Sequence, residues 1–233
     1  MLFKDIFRIL SSKELVGYIF QGFKNTLIMT VTAALIGLIL GFIVAIVKIA
    51  AENNRAMKIP AAICNIYTTV FRGTPVALQL FIMVYAVLAI PNFKPAAVII
   101  TFGINSGAYV SENIRAGINS VDRGQMEAGR ALGLNFNTSM IKIIMPQAIK
   151  NIIPAIGNEI IALLKETSIV YVVGATVGTV TFDLNAASET IFNNIPNFLA
   201  SGLIVALFYL AIVYALTFVI KLIEKRLKAS DRR

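Results

Sequence analysis

The stretch VDRGQMEAGRALGLNFNTSMIKIIMP, Val121 to Pro146, is a polar interruption between apolar segments of membrane-crossing length. Gln125 to Leu132 is predicted to form a short amphipathic helix, with Met126, Ala128, Ala131 and Leu132 apolar and Arg123, Glu127 and Arg130 charged. Gly133 is placed to end it, because glycine takes the left-handed conformation after a helix terminus at little steric cost. Asn137 offers a side-chain oxygen to cap a second helix from about Thr138. Pro146 is expected to disturb that second helix a few turns on. Capped helices around a glycine hinge predict a rigid knob at the membrane surface, a form suited to docking a partner protein.

The composition supports a membrane protein. Hydrophobic residues make up 58% of the chain and charged residues 14%, with a mean hydropathy of +0.80, an apolar share above that of soluble domains. The 233 residues suit one integral membrane domain with no added soluble domain of ordinary size. The net charge of +9 does not indicate nucleic acid, because the cations flank apolar segments instead of forming a stripe. Cys64 is the lone cysteine and histidine is absent, which excludes a disulfide framework and histidine-based triads or metal sites. No phosphate-binding GxxxxGK[ST] occurs, so any ATP chemistry requires another chain.

Outward from the knob, the apolar segments order themselves by their charged ends. Residues Met1 to Phe20 read as an interfacial amphipathic helix. Asn25 to Val47 reads as a first span, and its Gly37 and Gly41 form a GxxxG spacing that predicts close packing within the bundle. Lys48, Arg55 and Lys58 mark a cytoplasmic connection. Met57 to Ile90 reads as one long span broken at Gly73 and Pro75, with Arg72 near the carbonyls freed by the break. Ala96 to about Val110 begins a third span, continuing through Glu112 and Arg115, whose spacing of three lets them pair. Gln147 to about Gly174 is a fourth, Thr176 to Asn197 an outward re-entrant or interfacial segment, and Phe198 to Ile220 a fifth. The tail KLIEKRLKASDRR carries six basic residues that hold the C-terminus in the cytoplasm. The Asn137-Thr138-Ser139 sequon falls on the cytoplasmic side and is discounted.

The fourth span carries Asn158, Glu159, Lys165, Glu166, Thr167 and Ser168. Ionisable groups at membrane depth cost roughly 2.5–3.5 kcal/mol on insertion scales unless paired or facing water. Helical spacing puts Asn158 and Lys165 on one face, with Glu159 and Glu166 on an adjacent one. Such a stripe holds both signs of charge, as a site for a zwitterion would. It equally fits a structural ion pair of Glu159 or Glu166 with Lys165 or Arg115.

Several ordered motifs resemble one family. Glu127-Ala128, Gly133, Ile143 and Pro146 fall at the spacing of the EAA loop of binding-protein-dependent ABC importer permeases, with Gly129 and Met145 departing from the pattern. The strings RGTP (Arg72 to Pro75), AYVSENIRAGI (Ala108 to Ile118) and LLKETS (Leu163 to Ser168) are similar to those of bacterial permeases for polar amino acids of the histidine, glutamate, glutamine, arginine, lysine and cystine type. The resemblance implies an all-α integral membrane protein of five transmembrane helices in the bacterial cytoplasmic (inner) membrane. It divides the chain into an N-terminal segment 1–22, a permease domain 23–228 with coupling loop 121–146, and a tail 229–233. It implies an ATPase-coupling set of Glu127, Ala128, Arg130, Ala131 and Gly133. With the polar positions above, the candidate substrate pathway is Arg72, Asn105, Glu112, Asn158, Glu159, Lys165, Glu166, Thr167 and Ser168. The implied partners are ATPase subunits that bind ATP and magnesium, an extracytoplasmic solute-binding protein, a second permease subunit (identical or a sister), the amino acid and membrane lipid. The chain itself then binds no cofactor and is not an enzyme. A permease of the same architecture for another solute, and a passive channel or membrane scaffold, stand as the alternatives.

Overall fold

Ser12 divides the N-terminus into two helices. The computed structural model describes residues 2–229, and they are almost wholly helical. Helix α1, Leu2–Ser11, ends before Ser12, whose hydroxyl accepts from Leu15 N at 3.4 Å and opens α2, Lys13–Asn53. The N-terminal segment 1–22 therefore comprises α1 and the first turns of α2, with Ile9 buried while Phe3 and Phe7 stay exposed. Of the expected tail, residues 230–233 lie outside the described residues.

The predicted break is present. Helix α3, Lys58–Gly73, and helix α4, Val76–Ile82, meet at Thr74-Pro75, and the two arms bend by 108°. Pro75 cannot donate a backbone hydrogen bond, and Thr74 ahead of it is pushed to extended backbone, so the helix cannot continue through them. Helix α5 follows, Lys94–Asn119, then the short α6, Arg123–Ala131, and α7, Phe136–Ser139. A π-turn over Met140–Ile144 leads into α8, Met145–Glu166. A 3-10 stretch, Thr167–Val173, precedes α9, Leu184–Asn194, and α10, Phe198–Ala229, completes the described chain.

By length and composition two helices suffice to cross a membrane, Lys13–Glu52 and Phe198–Leu227, and the bent pair makes a third candidate. Helices α5 and α8 are more polar, with Asn105, Ser106, Glu112 and Arg115 in α5 and Asn158, Glu159, Lys165 and Glu166 in α8.

Helices α2 and α5 make the most extensive contact in the fold. Their small residues interlock. A Cβ on Gly41 would lie 2.6 Å from Val110 Cγ1 and 2.9 Å from the Gly107 carbonyl oxygen, and one on Gly103 would lie 2.6 Å from Ile36 Cβ. The GxxxG of α2 is thus an internal packing face, as its spacing predicts, and it meets a matching Gly103-x-x-x-Gly107 on α5.

The segment 176–197, expected to face outward, is more ordered than a simple re-entrant turn. Asp183 caps α9 by accepting from Ala186 N at 2.9 Å. The Asn25 amide of α2 donates to the carbonyls of Thr179 at 2.8 Å and Phe182 at 2.9 Å. Asp5 of α1 accepts from Asn197 at 2.6 Å, which fastens the N-terminal helix beside the start of α10.

Candidate functional site

Helix α6 begins two residues before its predicted start, because Asp122 accepts from Gly124 N at 2.6 Å and supplies an N-cap. It ends at Ala131, one residue before the predicted Leu132, with the stop at Gly133 as expected. Gly133 sits at φ +80°, its N–H bonds to Arg130 O at 2.9 Å, and Leu134 N reaches back to Gly129 O at 3.1 Å. That bond pair is the Schellman arrangement, which needs a residue tolerant of positive φ at the glycine position.

The second cap differs from expectation. Asn135, not Asn137, accepts from Thr138 N at 2.8 Å, and Asn137 lies inside α7. Asn135 follows the glycine turn with extended backbone, the conformation an N-cap requires. Pro146 disturbs the second helix, as expected, without ending it. The π-turn absorbs the missing N–H, so α7 runs on into α8 and the knob is the foot of a longer rod.

Glu127, Ala128, Arg130, Ala131 and Gly133 are all exposed, and Leu132 is 80% exposed beside them. Gly129 faces inward, and a Cβ there would lie 2.7 Å from Ser139 Oγ. Glycine in place of alanine here leaves room for the Ser139 hydroxyl, which an alanine would make turn aside. Ser139 Oγ is also the one buried side-chain polar atom without a hydrogen-bond partner among the described residues.

At the break between α3 and α4 the structure corrects the role expected of Arg72. The freed carbonyls are taken by amides: Gln79 Nε2 lies 2.9 Å from Phe71 O and 3.0 Å from Thr74 O, and Asn105 Nδ2 donates to Phe71 O at 3.2 Å and to Gln79 Oε1 at 2.9 Å. Arg72 instead projects outward over the Tyr109 ring, 5.3 Å from its centroid. It overhangs a groove of about 550 Å³ lined also by Lys48, Asn65, Thr68 and Glu112.

Glu112 closes one end of that groove. Its carboxylate accepts from Lys48 Nζ at 2.8 Å and from Arg115 at 2.9 Å, and Lys48 also donates to Thr68 Oγ1 at 2.7 Å. Three helices, α2, α3 and α5, are tied by this one group of side chains. The pairing of Glu112 with Arg115 matches the expected spacing, whereas Lys48 reads in the sequence only as a charge at a helix end.

The stripe on α8 is dispersed. Glu159 accepts from Ser106 Oγ of α5 at 3.0 Å, one residue from the Asn105 amide. The alternative ion pair of Glu159 or Glu166 with Lys165 or Arg115 is not formed: Arg115 lies 2.9 Å from the Glu112 carboxylate, and Glu159 accepts from Ser106 Oγ instead. Asn158 and Lys165 are exposed and Glu166 is half-buried. Thr167 and Ser168 turn their hydroxyls to backbone carbonyls of Leu164 and Lys165, each at 2.7 Å. Arg72, Asn105, Glu112 and Glu159 therefore gather around one side of α5, while the far end of the stripe stays apart. Ser106 and Tyr109 complete this cluster, and both lie in the α5 polar run that periodicity marks as one face.

Residues 37–229 match the family described as binding-protein-dependent transport system inner membrane component. The chain belongs to this family. It is 40% identical to the arginine transport system permease protein ArtQ of Bacillus subtilis over 219 residues, 93% of this chain and 95% of that protein. A putative glutamine transport system permease protein GlnP of Rickettsia prowazekii is 40% identical over 213 residues, 90% of this chain and 93% of that protein. Among solved structures, an amino acid ABC transporter with histidines superposes with a TM-score of 0.82 at 34% identity, covering 94% of this chain and 98% of that one. The methionine ABC transporter MetNI in an inward-facing form superposes at 0.77 with 18% identity, a likeness of fold alone.

Proposed function

We propose that this chain is the permease subunit of an ATP-driven importer that carries a polar amino acid across the bacterial cytoplasmic membrane. The observation that carries this reading is the agreement of amino-acid permeases with nine-tenths of the chain. The passes are α2, the bent α3–α4 pair, α5, α8 and α10, with the C-terminus in the cytoplasm. A second copy or a sister subunit completes the pathway, a solute-binding protein delivers substrate outside, and separate ATPase subunits hold ATP and magnesium. The exposed face of α6 is the coupling element. There Glu127 and Arg130 offer opposite charges to the ATPase, Ala128 and Ala131 allow close approach, and the Gly133 turn sets the exit angle. Rocking of α6 then reaches α8 through the packing of α6 on α7 and the π-turn, which run on into α8 as one rod. Substrate must bind the inward and outward states with different affinity for such a cycle to transport it.

This reading predicts that an ATPase subunit co-purifies with the detergent-solubilised wild type and is lost with Glu127→Lys, the permease remaining folded. Retention of the ATPase by a folded Glu127→Lys chain would remove α6 from the coupling role.

For the substrate we narrow the candidates to Arg72 and Glu159. Arg72 overhangs an open groove and suits a carboxylate, and Glu159 suits an amino or guanidinium group. Lys165, Glu166, Asn158, Thr167 and Ser168 lie off this cluster, and Glu112 is occupied by two cations. Glu159→Gln is accordingly expected to weaken uptake at least tenfold, while Lys165→Ala leaves it near wild type. Initial rates in proteoliposomes decide it, and the reverse ranking overturns the assignment.

A further inference from the structure

Between α8 and α10 lies a cleft of about 270 Å³ that the transport reading does not use. Its walls are aliphatic, with Ile153, Ile156 and Ile160 on α8 facing Val219 and Ile223 on α10. The two helices touch at Gly157, where a Cβ would lie 2.8 Å from Ile220 Cδ1, and the cleft opens around that contact. Pro154, next to Ile153 in α8, interrupts that helix's backbone ladder.

Charge is gathered at one end only. Arg226 lies one turn beyond Ile223 on the cleft face of α10, and Lys150 lies one turn before Ile153 on α8. With Lys221 and Lys225 these make four cations against the single acid Glu224. Lys221, Lys225 and Arg226 are exposed.

We infer that this cleft is a binding site for one anionic glycerophospholipid, an acyl chain lying between α8 and α10 and the phosphate headgroup held at the Arg226 end. Apolar walls in a membrane-embedded helix pair select a hydrocarbon chain, and basic lips between such helices select an anionic headgroup. A helix of a second protein copy does not fit, because a helix is about 10 Å across with its side chains and the walls already touch at Gly157.

The test uses the full chain in nanodiscs of phosphatidylcholine, with phosphatidylglycerol titrated in, read as the thermal unfolding midpoint. Wild type should show a saturable upward shift specific to phosphatidylglycerol. Arg226→Gln should lose most of that shift through the headgroup, and Val219→Trp should lose it by filling the cleft from its exposed side. An equal shift from phosphatidylcholine alone means ordinary annular lipid and overturns the proposal. Retention of the shift in both variants places the lipid elsewhere and also overturns it. If Val219→Trp lowers the midpoint in pure phosphatidylcholine, Arg226→Gln decides alone. Disulfide cross-linking of two copies through cysteines placed at Val219 would assign the cleft to a second chain and sink the lipid site.

Discussion

Glu112→Leu is expected to cost about 3–5 kcal/mol, the range for removing one partner of a buried ion pair, and to lower the unfolding midpoint and membrane yield accordingly. The Lys48 side chain is 8% exposed and Glu112 17%, so both charges are largely shielded where they line the groove. Without the carboxylate, Lys48 keeps only Thr68, and Arg115 adds a second cation close by. Lys48→Met is milder, because Glu112 retains Arg115 at 2.9 Å. The Lys48→Met/Glu112→Leu double variant should recover most of the loss, since an apolar pair avoids the uncompensated charge. Thermal unfolding of the four proteins in one detergent measures this cycle. A Glu112→Leu midpoint equal to wild type would show that the group does not hold α2, α3 and α5 together. Transport by the double variant then separates a structural Glu112 from one that substrate contacts.

Gly41→Leu should be nearly as damaging, about 3 kcal/mol, at the upper end of overpacking costs. Even the first added carbon would sit 2.6 Å from Val110 Cγ1, 2.7 Å from Val110 Cβ and 2.9 Å from the Gly107 carbonyl oxygen. A side-chain rotation cannot clear a Cβ and a backbone oxygen, so α2 and α5 must separate. Gly17 of the same helix has nothing within 4 Å of its would-be Cβ. Gly17→Ala is therefore neutral or stabilising by about 0.5–1 kcal/mol, because alanine loses less conformational freedom in a helix. Size-exclusion profiles and unfolding midpoints of the two variants side by side check the contrast. Equal behaviour would refute the close α2–α5 packing.

How legible each part was follows from what carried its signal. The α3–α4 break was readable because Gly73 and Pro75 act on their own backbone. The glycine stop at Gly133 was readable for the same reason, as positive φ is a local demand. The cap was misplaced from Asn135 to Asn137 because two asparagines two apart serve equally well on paper, and only the course of the chain after Gly133 selects one. Gly103 and Gly107 carry the same spacing as Gly37 and Gly41 but flank Asn105 and Ser106, and spacing alone does not say which helix they face.

The sequence by itself determined a helical membrane chain, its break at Thr74-Pro75, its exposed charged helix and its family motifs. All of these rest on hydropathy, backbone restriction or residue order, which act within one segment. Only the tertiary structure decided which groups meet. Lys48 finds Glu112 across 64 residues, Asn105 finds the Phe71 carbonyl across 34, and Asn25 holds the Phe182 carbonyl across 157. Periodicity gives the face on which a side chain stands but neither the helix opposite nor its rotation. In a chain where apolar positions occur on every side of the long helices, those rotations are set by the close fit of small residues and by buried polar groups finding partners.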